Sequence, residues 1–190
     1  MSRETLVRPA LIMTGVFIAT LVLGVLVVSQ DPVVGKTLVQ LLRDQILGSI
    51  PSGNPLLLFL AIFLNNLQAC VLLFLGGASL GAVTLFIAGT NGLVIGGVME
   101  VVRQEQGILY VMAAILPHGI VEIPSFILAG ALGLALAEAL WQEGTGVGDA
   151  AAVARELGSV FLRAVLPLVA LAAGIEAFIT PQIISLVAQV

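Results

Sequence analysis

Residues 45–99 read QILGSIPSGNPLLLFLAIFLNNLQACVLLFLGGASLGAVTLFIAGTNGLVIGGVM and contain no Asp, Glu, Lys or Arg. A helix needs about 20 apolar residues to cross the hydrocarbon core of a bilayer, so this stretch is long enough for two crossings. The Gly76–Gly77 pair is the natural break between two predicted spans, residues 55–75 and 78–99. The connection between these spans must be a tight helical hairpin.

The composition of the whole chain extends this interpretation. Of the 190 residues, 59% are hydrophobic and 9% are charged, whereas a soluble domain carries roughly 25% charged residues. A chain of this size cannot hide so many apolar side chains in one core, because small domains leave much of their surface in water. We therefore predict an all-α membrane protein, a single domain over residues 1–190 that forms a bundle of about five transmembrane helices.

The first predicted span covers residues 9–28. Its apolar run is longer than the roughly 7–15 residues of a signal peptide core, and it ends in Ser-Gln-Asp-Pro instead of a small-residue cleavage site. We therefore expect a retained helix, with Pro9 in its first turn, where the missing N–H costs nothing.

An amphipathic pattern follows over about residues 34–50, because apolar residues recur there at helical spacing. It predicts a short interfacial helix lying on the membrane surface. A helix packed on the ends of the spans fits the pattern equally well, and the sequence leaves both interpretations open.

The fourth apolar region, about residues 106–140, is too long for one span and too short for two. Pro117 and Pro124 lie inside it, and proline removes a helix hydrogen bond and clashes with the preceding turn. We therefore predict a Pro-broken fourth helix, with a half-helix to about Leu116, a break near residue 117 and then a full span. Unwound backbone survives in a membrane only inside protein or beside water, so the break should face the interior.

The fifth predicted span covers about residues 161–180 and should end at Thr180-Pro181. Asp149 is placed to cap a short helix before this span. The apolar tail after Pro181 is expected to form a short end helix.

Two carboxylates and one histidine lie well inside the predicted spans. Glu122 and Glu176 each carry an insertion cost of about 2.5–3.5 kcal/mol, so each needs a reason. His118 lies one helical turn before Glu122, and a hydrogen bond between the two would lower the cost of burying them. The group could be a polar staple, a ligand or proton site, or part of a metal site.

A metal is the weakest of these alternatives, because zinc takes three or four protein ligands. Glu176 would supply a third ligand only if the fold brings it close to His118 and Glu122. The sequence therefore predicts no metal and no cofactor.

Amide side chains form a second polar set, with Asn65 and Asn66 in the second span and Asn91 beside Gly92 in the third. We expect these amides to hydrogen-bond across helices and hold the spans together. A polar path through the bundle is the alternative. Glycines four residues apart, such as Gly92 and Gly96, predict close helix packing within the chain or in a homo-oligomer.

Enzyme signatures are missing from the sequence. It contains no Gly-x-Ser-x-Gly elbow, no phosphate-binding loop and no His-Glu-x-x-His. Ser125 lies near the face of His118, but oxyanion donors and an orienting group are not evident. Net charge is −4 without a basic run, which argues against nucleic acid as a partner. Cys70, the single cysteine, is expected to be a small buried hydrophobe.

The string LPHGIVEIPS at residues 116–125 resembles the signature of the stage II sporulation protein M family. The Asn-Asn and Asn-Gly pairs and the string IEAFITP at residues 175–181 are also similar, in the same order, over about residues 9–181. The positions that correspond to the family's motifs are Asn65, Asn66, Asn91, Gly92, Pro117, His118, Gly119, Glu122, Pro124, Glu176 and Pro181.

The resemblance implies a five-span protein of bacterial or archaeal plasma membranes. In spore formers the namesake resembles a membrane partner of cell-wall-degrading proteins during engulfment. Other members occur in organisms that make no spores, so we do not carry that role over. We expect a non-enzymatic membrane scaffold or complex subunit that acts with the lipid bilayer and with other membrane or envelope proteins.

Two alternatives remain. One is a transporter or channel component for a small solute or ion, with its polar site at the broken fourth helix. The other is an intramembrane enzyme using His118 and Glu122. Four basic residues against three favour a cytoplasmic N-terminus.

Overall fold

The structure is a computed structural model that describes residues 4–46 and 54–187. These residues are helical apart from short turns. The helices are α1 Glu4–Gln30, α2 Pro32–Ile46, α3 Pro55–Leu75, α4 Ala82–Gln106, α5 Ile108–Gly144 and α6 Ala150–Val187. All except α2 are long and apolar enough to cross a membrane, which confirms the predicted five-span, all-α bundle.

The hairpin between α3 and α4 shows how the sequence sets helix ends. Asn54 caps α3, and its side chain accepts hydrogen bonds from the N–H groups of Leu56 and Leu57. After α3 the chain makes a 3₁₀ turn over Gly76–Ser79, then passes through two left-handed residues. α3 therefore matches the prediction, whereas α4 begins four residues after the predicted position 78.

α1 begins earlier than predicted. Its first residue is Glu4, so Pro9 lies inside the helix and not in its first turn. The prediction began the helix at the first residue of the apolar run. Polar residues outside the hydrocarbon core of the bilayer can also be helical, so the helix extends further. Only one backbone hydrogen bond is lost at Pro9.

The predicted break in the fourth helix is wrong. α5 runs without interruption from Ile108 to Gly144, with Pro117 and Pro124 inside it. The two prolines are seven residues apart and therefore lie on one side of the helix, so both missing hydrogen bonds fall on that side. A membrane helix tolerates such losses when neighbouring groups take over the freed backbone atoms.

α6 also continues where a stop was predicted. It runs through Thr180 and Pro181 to Val187, joining the expected cap helix, span and end helix into one. Asp149 caps it as predicted, accepting a hydrogen bond from the N–H of Ala152 at 2.8 Å. The hydroxyl of Thr180 donates to the Ile175 carbonyl, so a side chain supplies a hydrogen bond just before the proline.

Two π-helical turns interrupt α6, over Phe161–Val165 and Ile175–Ile179. Such turns are rare, and they are frequent at functional sites. Each shifts the helical register by one residue, so side chains after it point in new directions. Nothing in the sequence analysis predicted these turns.

α5 is the central helix of the bundle. More than half of its apolar window is buried, against less than a third for each of the other spans. The largest fully buried side chains of the core come from α5 itself and from the helices around it, namely Met13, Leu73, Leu132, Leu157, Val165 and Val169.

Helices of this chain approach one another closely at glycines among the described residues. Packing within the chain is one of the two uses that the glycine spacing predicted. A Cβ atom on Gly96 would overlap the carbonyl oxygen of Leu21 in α1. A Cβ atom on Gly133 in α5 would likewise overlap the carbonyl oxygen of Leu73 in α3. That carbonyl also accepts a buried hydrogen bond of 2.9 Å from the Thr84 hydroxyl of α4.

α2 combines features of both interpretations of its amphipathic pattern. Gly35 is buried against α1 and α4, and a Cβ atom on Gly97 of α4 would touch Leu38. Val33 and Leu41 are exposed. The helix is thus packed on the ends of two spans and still presents apolar side chains outward. Residues 47–50, which the prediction included, lie outside the described residues.

Glu100 lies in the second half of α4 and is a buried carboxylate. Its side chain is only 3% exposed. Arg103 donates two hydrogen bonds of 2.7 Å to its carboxylate, and Gln104 donates one of 2.8 Å. A buried carboxylate is retained because charged and polar donors surround it.

We predict that Arg103→Met lowers the unfolding midpoint of the detergent-solubilised protein by several degrees, because it leaves the buried carboxylate without its cation. The double variant Glu100→Met with Arg103→Met should regain most of the loss, since no charge is then buried alone. Arg155→Met is the control, because within the part of the chain that the structure describes the Arg155 side chain donates its hydrogen bond to the Ala151 carbonyl of its own helix. Equal midpoints for all three variants would contradict the prediction.

Candidate functional site

His118 and Glu122 lie on the same face of α5, as predicted. The His118 Nε2 and Glu122 Oε2 atoms are 3.9 Å apart. This separation is within reach of an ion pair but too long for a hydrogen bond, so the predicted hydrogen bond is not formed. The continuous helix, and not a break, sets their spacing.

Glu176 approaches this pair from α6, where it lies in the π-helical turn Ile175–Ile179. One ligand-type atom from each of His118, Glu122 and Glu176 lies within 4.8 Å of the other two. The convergence that the sequence left open is therefore present. A polar group comprising one imidazole and two carboxylates sits between two transmembrane helices.

The three side chains are partly shielded from solvent. That of His118 is 15% exposed and that of Glu122 is 25% exposed. The His118 Nδ1 atom is buried and, within residues 4–46 and 54–187, has no hydrogen-bond partner. A buried polar atom without a partner costs free energy and needs an explanation. The hydrogen bond on which the polar-staple alternative depends is therefore not formed among the described residues.

The amides lie next to this group, around a cavity of about 40 Å³. Glu122 joins the two, since it belongs to the ionisable group and also lines the cavity. The volume exceeds the roughly 10–15 Å³ that one water needs, so a bare ion or a few waters would fit. The polar residues around the cavity are Asn65, Asn66, Cys70, Asn91, Glu122 and Ser125.

The amides do not hold helices together as predicted. The side-chain amide of Asn65 donates to Asn66 at 3.3 Å, and that of Asn91 donates to the Ile87 carbonyl of its own helix at 2.9 Å. These hydrogen bonds are local, since one joins adjacent residues and the other reaches the carbonyl one turn earlier in the same helix. Among the described residues, these amides therefore keep donors or acceptors without a partner beside the cavity.

The other predicted positions have structural roles. Gly92 is buried where α4 meets α1, and a Cβ atom there would overlap the Thr20 hydroxyl. Gly119 is buried in α5, whereas Pro124 is exposed and Pro117 is partly exposed. These residues shape the helices around the site and do not join the polar group.

Ser125 has a different partner from the one considered for an enzyme. Its hydroxyl donates a hydrogen bond of 2.7 Å to the main-chain carbonyl of Glu122, one turn earlier. In this arrangement its proton is not directed at His118.

Two cavity residues escaped the sequence analysis of the site. Cys70 was predicted to be buried, which is correct at 2% exposure, but not to line a polar cavity. Phe17 of α1 lines it too and packs against Phe126 in a tilted arrangement, with ring centroids 5.8 Å apart. Neither residue carries a sequence signal that separates it from ordinary apolar core.

Comparison with known families gives one match. A family model described as Stage II sporulation protein M matches residues 13–181, which includes every polar residue of the site. Comparison with curated proteins gives no match, and comparison with solved structures gives none either.

Proposed function

Since this chain belongs to the stage II sporulation protein M family, we propose that it is a non-enzymatic, multi-pass membrane subunit that holds a cell-envelope complex together. The proposal includes a bacterial or archaeal plasma membrane and a cytoplasmic N-terminus. One observation carries it, namely the outward apolar face of α2. Lipid accounts for the outward apolar side chains of the spans. α2 is not one of the spans, so its outward apolar side chains need another contact.

The apolar face of α2 is formed by Val34 and Leu41, which are 45% and 57% exposed. They are seven residues apart and so share one side of the helix, while exposed Lys36 lies on the opposite side. A helix with this pattern fits either the groove of a partner or the membrane surface. A complex subunit would use it for a partner.

Site-specific photo-crosslinking in intact membranes tests this role. A photoreactive residue at position 34 or 41 should crosslink to one protein of defined mass, and the same residue at position 36 should not. Leu41→Glu, combined with the probe at position 34, should abolish the product. Crosslinking to lipid alone at both apolar positions would contradict the proposal.

A second candidate, a component that passes a small ion, is favoured by the convergence of His118, Glu122 and Glu176 beside a cavity. Ionisable groups at membrane depth commonly mark ion pathways. The small cavity volume argues against a larger solute.

Flux of H⁺, Na⁺ and K⁺ into proteoliposomes tests the second candidate. We expect Glu122→Gln to abolish any flux, because it removes the charge that the cavity shares with the ionisable group. Glu138→Gln is the matched control, since Glu138 is an exposed carboxylate on the same helix. A wild-type protein without flux for any of the three ions would exclude this candidate.

A further inference from the structure

The ionisable group is more specific than a generic polar site. It combines one imidazole and two carboxylates, supplied by two helices and brought within 4.8 Å. These are ligand types that zinc uses, and three protein ligands with one open position is the usual pattern of a zinc site that is not purely structural. Mg²⁺ and Ca²⁺ prefer sites made entirely of oxygen, so the imidazole argues against them.

The distances suit a metal after a small closure. Bonds of about 2.0–2.2 Å at tetrahedral angles place ligand atoms roughly 3.3–3.6 Å apart. The separations here are 3.9 Å for His118 and Glu122 and up to 4.8 Å within the group. Rotamer adjustments of the two long glutamate side chains would close about one ångström without moving the helices.

The electrostatics point the same way. Two carboxylates this close repel one another in the low dielectric of a membrane bundle, and a divalent cation would cancel both charges. The His118 nitrogen that faces Glu122 is Nε2, and at 3.9 Å from the carboxylate oxygen it forms no hydrogen bond that a metal would have to replace. Glu122 also lines the 40 Å³ cavity, which leaves room for a water on the open position.

We propose that His118, Glu122 and Glu176 together bind one divalent transition-metal ion, with Zn²⁺ preferred over Mg²⁺ and Ca²⁺. The site reverses the expectation of no metal, because the fold supplies the third ligand that the sequence could not place. It is independent of the role as a complex subunit, so a failed partner search would leave it unaffected.

The test uses the full chain, purified in detergent through a histidine-free affinity tag and stripped with a chelator. Zn²⁺ is titrated in by calorimetry, and bound metal is counted by elemental analysis after desalting. Co²⁺ is titrated separately, because its visible absorption reports nitrogen and oxygen ligands. We expect one Zn²⁺ per chain and a Co²⁺ spectrum that changes in His118→Ala.

The variants decide the outcome. Glu122→Gln and Glu176→Gln preserve side-chain shape and should each weaken Zn²⁺ binding by at least about tenfold, since each removes one of three ligands. Glu138→Gln should bind as the wild type does. If His118→Ala fails to fold, the two Gln variants carry the test. No bound Zn²⁺ in the wild type, or equal affinity in wild type and both Gln variants, would overturn the proposal.

Discussion

Gly96→Ala is expected to lower the free energy of unfolding by about 3 kcal/mol, the upper range for overpacking a close-packed interface. The added Cβ atom would overlap the carbonyl oxygen of Leu21 and lie 2.8 Å from its carbonyl carbon. Backbone atoms cannot rotate away as the end of a side chain can. α1 and α4 would have to separate along their whole contact, which includes Gly92 and Gly24.

Gly89→Ala is the matched control, because Gly89 belongs to the same helix. Its Cβ atom would lie 3.5 Å from the Thr20 methyl group, which is an ordinary contact. Both substitutions gain about 1 kcal/mol of helix propensity, so only the clash differs between them. Unfolding in mixed detergent micelles, followed by circular dichroism, measures the difference. Equal stability of the two variants would show that the helices are not this close.

The sequence predicts best where local chemistry acts alone. α3 begins at Pro55 and ends at Leu75, as predicted, between the Asn54 cap and Gly76. The Asp149 cap of α6 is correct for the same reason. Apolar length predicts the five spans because the thickness of a bilayer sets it.

The sequence predicts poorly where neighbouring helices override local preference. Pro117 and Pro124 indicate a break in isolation, yet α5 stays helical because it is packed on several sides by the rest of the chain. Pro181 is tolerated in the same way in α6. In a bundle, a lost hydrogen bond costs less than the packing that a broken helix would forfeit.

The candidate site likewise has a part that the sequence predicts and a part that only helix packing determines. The spacing of His118 and Glu122 on one helical face follows from the sequence, since four residues make about one turn. The position of Glu176 beside them does not follow from the sequence, because it depends on how α5 and α6 pack and on a π-helical turn. The local hydrogen bonds of the amides also could not be foreseen, as Asn65 and Asn91 face a cavity and not a partner helix.

Glu122→Gln is expected to raise the free energy of unfolding of the metal-free protein by about 1–2 kcal/mol. The substitution removes one of two carboxylates held within 4.8 Å of each other, and a charge in a span costs about 2.5–3.5 kcal/mol by itself. Function and stability commonly oppose one another at binding sites. A polar staple would behave in the opposite way, since removing its carboxylate would destabilise the bundle.

The measurement compares wild type, Glu122→Gln and Glu138→Gln after treatment with a chelator, and again with excess Zn²⁺. Glu138 is exposed on the same helix, so its variant should stay within about 0.5 kcal/mol of wild type in both conditions. Excess Zn²⁺ should stabilise the wild type more than Glu122→Gln, by about 1.4 kcal/mol for each tenfold difference in affinity, because a ligand stabilises the folded state in proportion to its binding. The stability advantage of Glu122→Gln should therefore shrink when metal is added. If Glu122→Gln is less stable than wild type without metal, the Glu122 carboxylate stabilises the fold by itself. That result would favour the polar staple over the metal site.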